Sequence, residues 1–315
     1  MAICARPARV WLPGVVSLLA LLGSAPALGA EASTASAATG RPFVPAPGQS
    51  SALQGVACPS ATSCWAVGNY TTAGGAHVNE VLHWNGRRWS RVPVPSPGGT
   101  TGGFSGLGRV TCVSPASCWA VGEFTKLHGP GLNQVLHWDG RRWSRVPAPD
   151  PGGTASGDFS ALNAVSCPST ASCWAVGGYG RSGSSFTALN EVLHWNGRTW
   201  SLAASPDPDG TGPGAGNFLS DVVCTSTANC WAVGNYGSIR GSGVILNQAL
   251  HWDGRTWSQA PTPNPAGTSS GALNFLRGVR CASPARCWAV GRDAPAGQSD
   301  RNQALRWNGT SWSVG

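Results

Sequence analysis

Ten of the eleven cysteines form five pairs, each with five residues between its two members. The pairs are Cys58 with Cys64, Cys112 with Cys118, Cys167 with Cys173, Cys224 with Cys230, and Cys281 with Cys287. Cysteine pairs either bind a metal or form a disulfide, and this spacing is wider than that of structural zinc pairs. Pairing within each copy of the pattern keeps all five copies equivalent and places both cysteines at the base of one hairpin. We therefore predict five local disulfides.

The 13 acidic residues show no pattern typical of a catalytic carboxylate pair. Glycosidases need two carboxylates that converge and have unlike environments. The acids that stand out lie in a Pro/Gly-rich segment, in hairpin turns, or at a position that alternates with glutamine: Asp207, Asp209, Asp139, Asp253, Glu80 and Glu191. A serine nucleophile elbow, an HExxH motif and a P-loop are absent from the sequence. The sequence thus predicts a protein that is not an enzyme and needs no cofactor, with a secreted carbohydrate-active enzyme as the alternative.

Histidine and asparagine each recur at one position of the pattern. The histidines are His83, His137, His194 and His251, with Arg306 in the fifth copy. On neighbouring β-sheets equivalent positions are separated by well over about 10 Å, whereas zinc needs ligands at about 2 Å, so we expect packing and no metal site. The asparagines are Asn79, Asn133, Asn190, Asn247 and Asn302. We expect them to make a turn or strand-entry hydrogen bond, with a ligand role as the alternative.

Aromatic and basic residues in the variable segments are the candidates for ligand binding. Four copies place an aromatic residue two positions after the glycine of a WAVG string: Tyr70, Phe124, Tyr179 and Tyr236. Such rings stack on a sugar or peptide, or they cap the contact between neighbouring copies. The nearby Arg181, Arg240 and Arg292 favour an anionic ligand. The three tryptophans of each copy, by contrast, recur without exception, as packing requires.

All these residues belong to a unit that recurs five times, beginning near Leu53, Leu107, Leu162, Leu219 and Leu276. Each copy carries LxxVxC, CWAVG, a variable stretch, N[EQ][VA]L[HR]W[ND]G and a WS pair. Short apolar runs, Asn-Gly or Asp-Gly turns and prolines predict four strands per copy. One such sheet cannot bury both of its apolar faces alone, so neighbouring copies must stack. The sequence predicts an all-β fold, a five-bladed β-propeller of four-stranded antiparallel blades.

The two ends of the chain are predicted to close the ring. The last copy stops at Gly315 and lacks the VPxP continuation seen at residues 92–95 and 146–149. A matching segment occurs near the start of the chain, at residues 43–47. We expect this N-terminal segment to complete the outer strand of the fifth blade. An open five-repeat solenoid is the alternative, although it needs polar caps that neither end supplies.

With these WAVG and LHWNG strings, the unit resembles the propeller repeats of secreted bacterial proteins over residues 43–315. Its layout is also similar to that of kelch-type and five-bladed lectin propellers. The resemblance implies a β-propeller fold. The kelch Gly-Gly doublet is missing, and Trp84 stands where an Asp-box has its aspartate. The resemblance therefore implies a fold and no particular activity.

The N-terminal region has the pattern of an export signal. In residues 1–30, Arg6 and Arg9 precede an apolar run that is too short to span a bilayer. We interpret residues 31–42 as a flexible linker and residues 43–315 as one propeller domain. The expected mature protein is a monomer, secreted and without a membrane span, or associated with the cell surface; a retained N-terminal anchor is the alternative.

Charge favours acidic partners only slightly. The formal net charge is +8, and signal cleavage lowers it to about +6. The arginines recur once or twice per copy in turns instead of forming a basic stripe, so we expect no binding to nucleic acid.

Sequence variation falls on one face of the predicted propeller. The loops from second to third strands and those between blades emerge on the same face, and they differ from copy to copy. The opposite face carries the constant disulfide loops and hairpin turns. Binding surfaces commonly combine variable loops with a constant scaffold. The sequence therefore predicts an extracellular module that binds an unidentified glycan or surface protein; a structural role in the cell wall is a further alternative.

Overall fold

Short hydrogen-bonded strands account for the regular structure of this chain. The computed structural model describes residues 50–182, 187–237 and 243–315, and these residues contain strands and turns but no helix. The predicted all-β class is confirmed. The export signal, the linker and the N-terminal closing segment at residues 43–47 lie outside the described residues. In the described part of the chain, no helix is long and apolar enough to cross a membrane.

The strands form five repeats of four, which we number repeats 1 to 5 in chain order. Repeat 1 contains β1 (Ser51–Ser60), β2 (Ser63–Thr71), β3 (His77–Trp84) and β4 (Trp89–Arg91). Repeat 2 contains β5 (Phe104–Ser114), β6 (Ser117–Thr125), β7 (Gly131–Trp138) and β8 (Trp143–Arg145). Repeat 3 contains β9 (Phe159–Ser169), β10 (Ser172–Arg181), β11 (Thr187–Trp195) and β12 (Trp200–Leu202). Repeat 4 contains β13 (Asn217–Ser226), β14 (Asn229–Tyr236), β15 (Leu246–Trp252) and β16 (Trp257–Ala260). Repeat 5 contains β17 (Leu273–Ser283), β18 (Arg286–Ala294), β19 (Arg301–Trp307) and β20 (Trp312–Val314).

Within each repeat the four strands pair antiparallel in sequence order. Single parallel bridges, such as His77 with Phe104, link the first three repeats into one sheet. In repeat 5, β20 lies at the sheet edge and pairs with β19 alone among the described strands. The described residues form no closed sheet, so the blade number and the ring closure stay predictions.

The hairpin turns follow the Asn-Gly and Asp-Gly pattern. In the first of them, Asn85 Oδ1 accepts hydrogen bonds from the backbone N–H groups of Arg87 and Arg88, both at 3.0 Å. Gly86 has φ of 86°, a left-handed conformation that glycine adopts without steric cost. The equivalent Asp139 accepts two such bonds at 2.8 Å, and they lower the pKa of its carboxyl group. The turn therefore holds the third and fourth strands of each repeat together.

All five predicted disulfides are present, each between the cysteines of one repeat and each with a Cα–Cα distance of 4.0 Å. They join the first and second strands, as in the directly opposed pair Cys224 and Cys230. Disulfides persist in oxidising compartments outside the cytoplasm. The five bonds therefore indicate an extracellular type of protein.

Removing one disulfide is expected to destabilise the protein measurably. Replacing both Cys224 and Cys230 with alanine should lower the free energy of unfolding by about 2 kcal/mol, because the closed loop is short. Urea unfolding followed by tryptophan fluorescence measures this difference. A loss below about 0.5 kcal/mol would mean that strand pairing alone holds the loop closed.

The glycine of each CWAVG string permits a close approach between the first and second strands. In repeat 3, a Cβ atom on Gly177 would lie 1.9 Å from the carbonyl oxygen of Ala161. The strand register shifts here by one residue, so that Asn163 is left over as a β-bulge. A bulge re-aims the side chain it carries. The same register shift occurs in every repeat, at Gln54, Gly108, Asn163, Ser220 and Arg277.

Tryptophans form the contact between consecutive repeats. Trp174 of repeat 3 lies 4.6 Å from Trp252 and 5.2 Å from Trp257 of repeat 4, measured between ring centroids. His194 packs against the same indole at 4.3 Å. Equivalent clusters surround Trp65, Trp119 and Trp231. The tryptophans and histidines thus lie in the packing between repeats, as the sequence predicts.

The outer faces of repeats 1 and 5 lack this packing. The second strand of each repeat packs against the first strand of the next, but the described residues show no comparable packing of β18 on β1. Trp288 is 45% exposed and Leu53 is 50% exposed, whereas their equivalents in the other repeats are buried. We call the exposed face of Leu53, Val56 and Trp89 the repeat-1 edge, and that of Trp288 and Val290 the repeat-5 edge.

Candidate functional site

The variable segments meet at one face of the molecule. The N–H of Gly237, at the end of β14, donates to the carbonyl of Gly216 before β13. The N–H of Ile245, before β15, donates to the carbonyl of Ala272 before β17. Loops between strands and connections between repeats therefore lie side by side. We call this the loop face.

The four predicted aromatic residues lie at the loop-face ends of the second strands. Phe124 is buried beneath the guanidinium of Arg145, which lies 4.7 Å from its ring centroid, so a ligand has no access to the ring. Tyr70 is half-buried, with Arg91 stacked on it at 4.1 Å. Tyr179 and Tyr236 are also half-buried, and burial raises the pKa of the Tyr179 hydroxyl. These rings therefore lie mainly in contacts within the protein.

The predicted arginines are dispersed. Arg181 is exposed at the end of β10, and Arg240 lies outside the described residues. Arg292, on β18, stacks on Phe275 at 4.5 Å and forms a short ion pair with Asp300. Arg292 does not line the cavity described next, but it stacks on Phe275, which does.

An open cavity of about 450 Å³ lies on the loop face, where repeats 3, 4 and 5 meet. We call it the loop-face cavity. Its lining includes Phe218, Phe275, Asn163, Ser220, Asn235 and Arg277. The two phenylalanines are half-buried and occupy one repeated position on β13 and β17. The other repeats have Ala52, Gly106 and Ala161 there. Comparing this position across the repeats is the sequence signal that finds the cavity, and our sequence reasoning missed it.

A buried carboxylate connects the first strands of three repeats. Asp221 on β13 accepts hydrogen bonds from the backbone N–H of Val279 at 3.0 Å and from Arg280 Nη1 at 2.7 Å. Arg109 on β5, at the same repeated position as Asp221, lies 3.3 Å from its other oxygen. The buried carboxylate thus joins repeats 2, 4 and 5 through partly exposed arginines, which gives it a structural role.

A hydrogen-bond ladder, which sequence reasoning did not find, crosses the contacts between repeats. Asn190 Nδ2 donates to Pro206 O at 2.7 Å and to Gln248 Oε1 of the next repeat at 2.8 Å, and Gln248 Nε2 donates back to Asn190 Oδ1 at 3.0 Å. The other members are Asn79 with Gln134, Asn133 with Glu191, and Asn247 with Gln303. The predicted strand-entry bond also exists, since the N–H of Asn190 donates to Asp207 Oδ1 at 2.7 Å.

Glu191 replaces glutamine in this ladder and is fully buried. Burial raises its pKa to about 8, so the carboxyl group is protonated at neutral pH. Glu191 Oε2 and Asn133 Oδ1 are the two ladder atoms without a hydrogen-bond partner when the carboxyl is ionised. A proton on Oε2 supplies the donor that glutamine provides elsewhere. Glu191 therefore acts as a neutral acid that mimics glutamine.

The four histidines contact polar side chains at their outer ends. In repeats 1 to 3 the Nε2 atom lies 3.1–3.3 Å from a serine hydroxyl, and in repeat 4 it lies 3.0 Å from Asn229 Nδ2. Burial lowers the pKa of all four imidazoles. No group of three His, Cys, Asp or Glu residues within residues 50–182, 187–237 and 243–315 could hold a metal ion.

No family model matches the chain, and no curated protein matches its sequence. Several solved structures are similar at low identity. A protein of unknown function from Dyadobacter fermentans aligns with TM-score 0.48 and 11% identity, over 83% of this chain and 79% of that one. Levansucrase from Bacillus subtilis aligns with TM-score 0.47 and 9% identity, over 84% and 86%. An α-L-arabinanase from Penicillium chrysogenum aligns with TM-score 0.43 and 10% identity, over 78% and 71%.

These matches correct one prediction. Structures similar to this chain include enzymes named as a fructan exohydrolase, an arabinanase and family-43 glycoside hydrolases. This finding contradicts our prediction that the chain is not an enzyme, and we withdraw it. At identities of 9% to 12%, the matches transfer no catalytic residue or substrate to this chain.

Proposed function

We propose that this chain is a secreted five-bladed β-propeller that binds carbohydrate in the loop-face cavity. The single observation that carries the proposal is the pair Phe218 and Phe275 beside amide and guanidinium groups. Sugar-binding sites combine an aromatic face, which covers the apolar C–H groups of a sugar ring, with a few polar groups that fix its orientation. Both components are present here, and both lie on the face whose loops differ between repeats.

The polar lining suits hydroxyl groups. Asn235 is buried on β14, and Ser220 is half-buried on the first strand of repeat 4. Asn163 donates through Nδ2 to Leu219 O at 2.7 Å, which orients its carbonyl oxygen and fixes the amide plane. Amide and hydroxyl groups both donate and accept hydrogen bonds. The cavity therefore offers oriented donors and acceptors around two apolar rings.

The proposal includes closure of the five repeats into a ring, in keeping with the propeller repeats that the unit resembles. Each contact between consecutive repeats packs the second strand of one repeat against the first strand of the next. The repeat-5 edge and the repeat-1 edge are the corresponding two surfaces, left without a partner in the described residues. Trp288 is equivalent to Trp231, which packs on Trp307 and Trp312, so its partners in a closed ring are Trp84 and Trp89. Burial of such surface is favourable by about 25 cal/mol per Å², which supports contact between the edges.

The polar ladder supports the same closure. Asn302, on β19 of repeat 5, is exposed, while its four equivalents are buried in the ladder. Glu80 of repeat 1 occupies the acceptor position of the ladder and pairs with Arg91 at 2.6 Å. In a closed ring, Asn302 would donate to Glu80 and so form the fifth hydrogen-bonded pair of the ladder, between repeats 5 and 1.

Binding to polysaccharides tests the proposed function. The full chain should bind at least one member of a panel of neutral and acidic polysaccharides. Replacing both Phe218 and Phe275 with alanine should weaken that binding about tenfold or more, since aromatic contacts contribute roughly 0.5–1.5 kcal/mol each beyond area burial. Isothermal titration calorimetry measures the affinity.

The matched control is Phe104→Ala, which removes a ring on β5 at the loop face but outside the cavity. Its affinity should equal that of the unmodified protein. Equal affinity in the double variant and the control would contradict the proposed site. Release of reducing ends in the same incubations would extend the proposal from binding to glycoside hydrolysis, and binding to insoluble cell walls alone would favour a structural role.

A further inference from the structure

Two arginines share one aromatic ring at the loop-face cavity. The guanidinium carbons of Arg277 and Arg292 lie 5.3 Å and 4.5 Å from the ring centroid of Phe275. Guanidinium groups stack on aromatic rings and bind carboxylate, sulfate or phosphate through paired N–H donors. From this arrangement we propose that the carbohydrate bound here is anionic, with its carboxylate or sulfate group held by Arg277 and Arg292. This inference rests on the proposed function and names its ligand class.

Arg277 is specific to repeat 5. It occupies the β-bulge position on β17, where the other repeats have Gln54, Gly108, Asn163 and Ser220. The bulge occurs in every repeat, but the residue type at its position differs. The side chain at this position is therefore not needed to form the bulge. The bulge leaves this residue out of the strand pairing and re-aims its side chain, whose guanidinium lies beside the ring of Phe275.

Arg277 also lies between two openings. It lines the loop-face cavity and a second, larger cavity of about 770 Å³, whose lining includes Arg292, Asn302 and Val290 of repeat 5. The side chain is more than a third exposed. Its guanidinium is therefore accessible to a ligand in the loop-face cavity.

Among the arginines near the cavity, Arg277 has no carboxylate partner within the described residues. Arg292 is paired with Asp300, and Arg301 is paired with Asp293. In the part of the chain that the structure describes, no carboxylate lies within ion-pair distance of Arg277. Partial burial and the neighbouring charge of Arg292 lower the pKa of Arg277. An anionic ligand relieves both effects, because it replaces lost hydration and offsets the repulsion between the two cations.

The test compares sugars that differ only in charge. The full chain is titrated with oligogalacturonate and with the same oligomer in its methyl-esterified, neutral form, at about 150 mM salt to screen long-range attraction. Dextran sulfate and dextran form a second pair, which distinguishes sulfate from carboxylate. We expect the protein to bind at least one anionic form about tenfold or more tightly than its neutral partner, since a charge-assisted bond contributes more than a neutral one.

Substitution of Arg277 locates the preference. In Arg277→Gln the preference for the anionic form should disappear, because the affinity for the anionic form falls by more than the affinity for the neutral form. The control Arg255→Gln removes the same charge from an exposed hairpin turn away from the cavity and should leave the preference intact. Equal unfolding midpoints of the two variants show that both are folded.

Three results contradict the inference, and they differ in what else they overturn. If Arg277→Gln and Arg255→Gln reduce the preference for the anionic form equally, the overall positive charge of the protein attracts the anion. Equal affinity of the unmodified protein for anionic and neutral forms removes the anionic class and leaves carbohydrate binding standing. Failure to bind any anionic or neutral sugar of the panel overturns the proposed function as well.

Discussion

Replacing Trp231 with alanine is expected to lower the free energy of unfolding by about 3–5 kcal/mol, and replacing Trp288 should cost nearly as much. Trp231 is buried among Trp307, Trp312 and His251. Removing the indole leaves a cavity, so the protein loses both the free energy of burying the ring and the ring's contacts with its neighbours. Trp288 loses a similar amount only if the repeat-1 edge covers it, so the comparison tests ring closure.

A double-mutant cycle makes this test independent of the single values. Trp288→Ala is combined with Trp89→Ala on the opposite edge, and Trp231→Ala with Trp312→Ala serves as the reference pair, whose rings lie 5.2 Å apart. Contacting aromatic residues couple by roughly 0.5–1.5 kcal/mol. We expect similar coupling in both pairs. Additive effects of Trp288 and Trp89 would show that the edges do not meet and that the five repeats remain open.

Replacing Glu191 with glutamine is expected to stabilise the protein at neutral and alkaline pH. The glutamine amide supplies the donor for Asn133 Oδ1 at every pH, whereas Glu191 supplies it only when protonated. Folding raises the pKa of Glu191 from its ordinary 4.5 to about 8. Its contribution to stability is therefore complete below about pH 4.5 and is lost as pH rises toward 8, at up to about 1.4 kcal/mol per pH unit.

The pH dependence of unfolding measures this effect. The difference in free energy of unfolding between Glu191→Gln and the unmodified protein should be small near pH 4.5, should increase to a few kcal/mol by about pH 8, and should then stay constant. The reverse substitution, Gln248→Glu, should introduce the same alkaline loss between repeats 3 and 4. If neither variant changes the pH profile, Glu191 is already ionised in the folded protein and our assignment of its proton is wrong.

Much of the fold was accessible from single positions of the repeat. The five cysteine pairs predicted all five disulfides, because cysteines six positions apart fall on opposite strands of one hairpin. The Asn-Gly and Asp-Gly pairs predicted the hairpin turns, because few other residues adopt that backbone conformation. Both are local interactions, which a short stretch of sequence contains in full.

The candidate site was less accessible. Our aromatic candidates were chosen for recurrence, and recurrence is typical of packing, as buried Phe124 demonstrates. Phe218 and Phe275 escaped notice because only two repeats carry them. The Asn and Gln positions of the ladder were visible in the sequence, but their partners are 55 to 58 residues away, so the pairing follows only from how repeats stack.

The sequence was enough to predict the five repeats, their strands, their disulfides and the packing role of their tryptophans and histidines, since each depends on spacing within one repeat. Which of the residues that differ between repeats lie in contact could be seen only in the folded protein. The tertiary structure placed Arg277 and Arg292 on the ring of Phe275, joined Asp221 to two arginines, and buried Glu191 deeply enough to keep its proton. These arrangements depend on distances between repeats, and such distances follow from packing that no single repeat encodes.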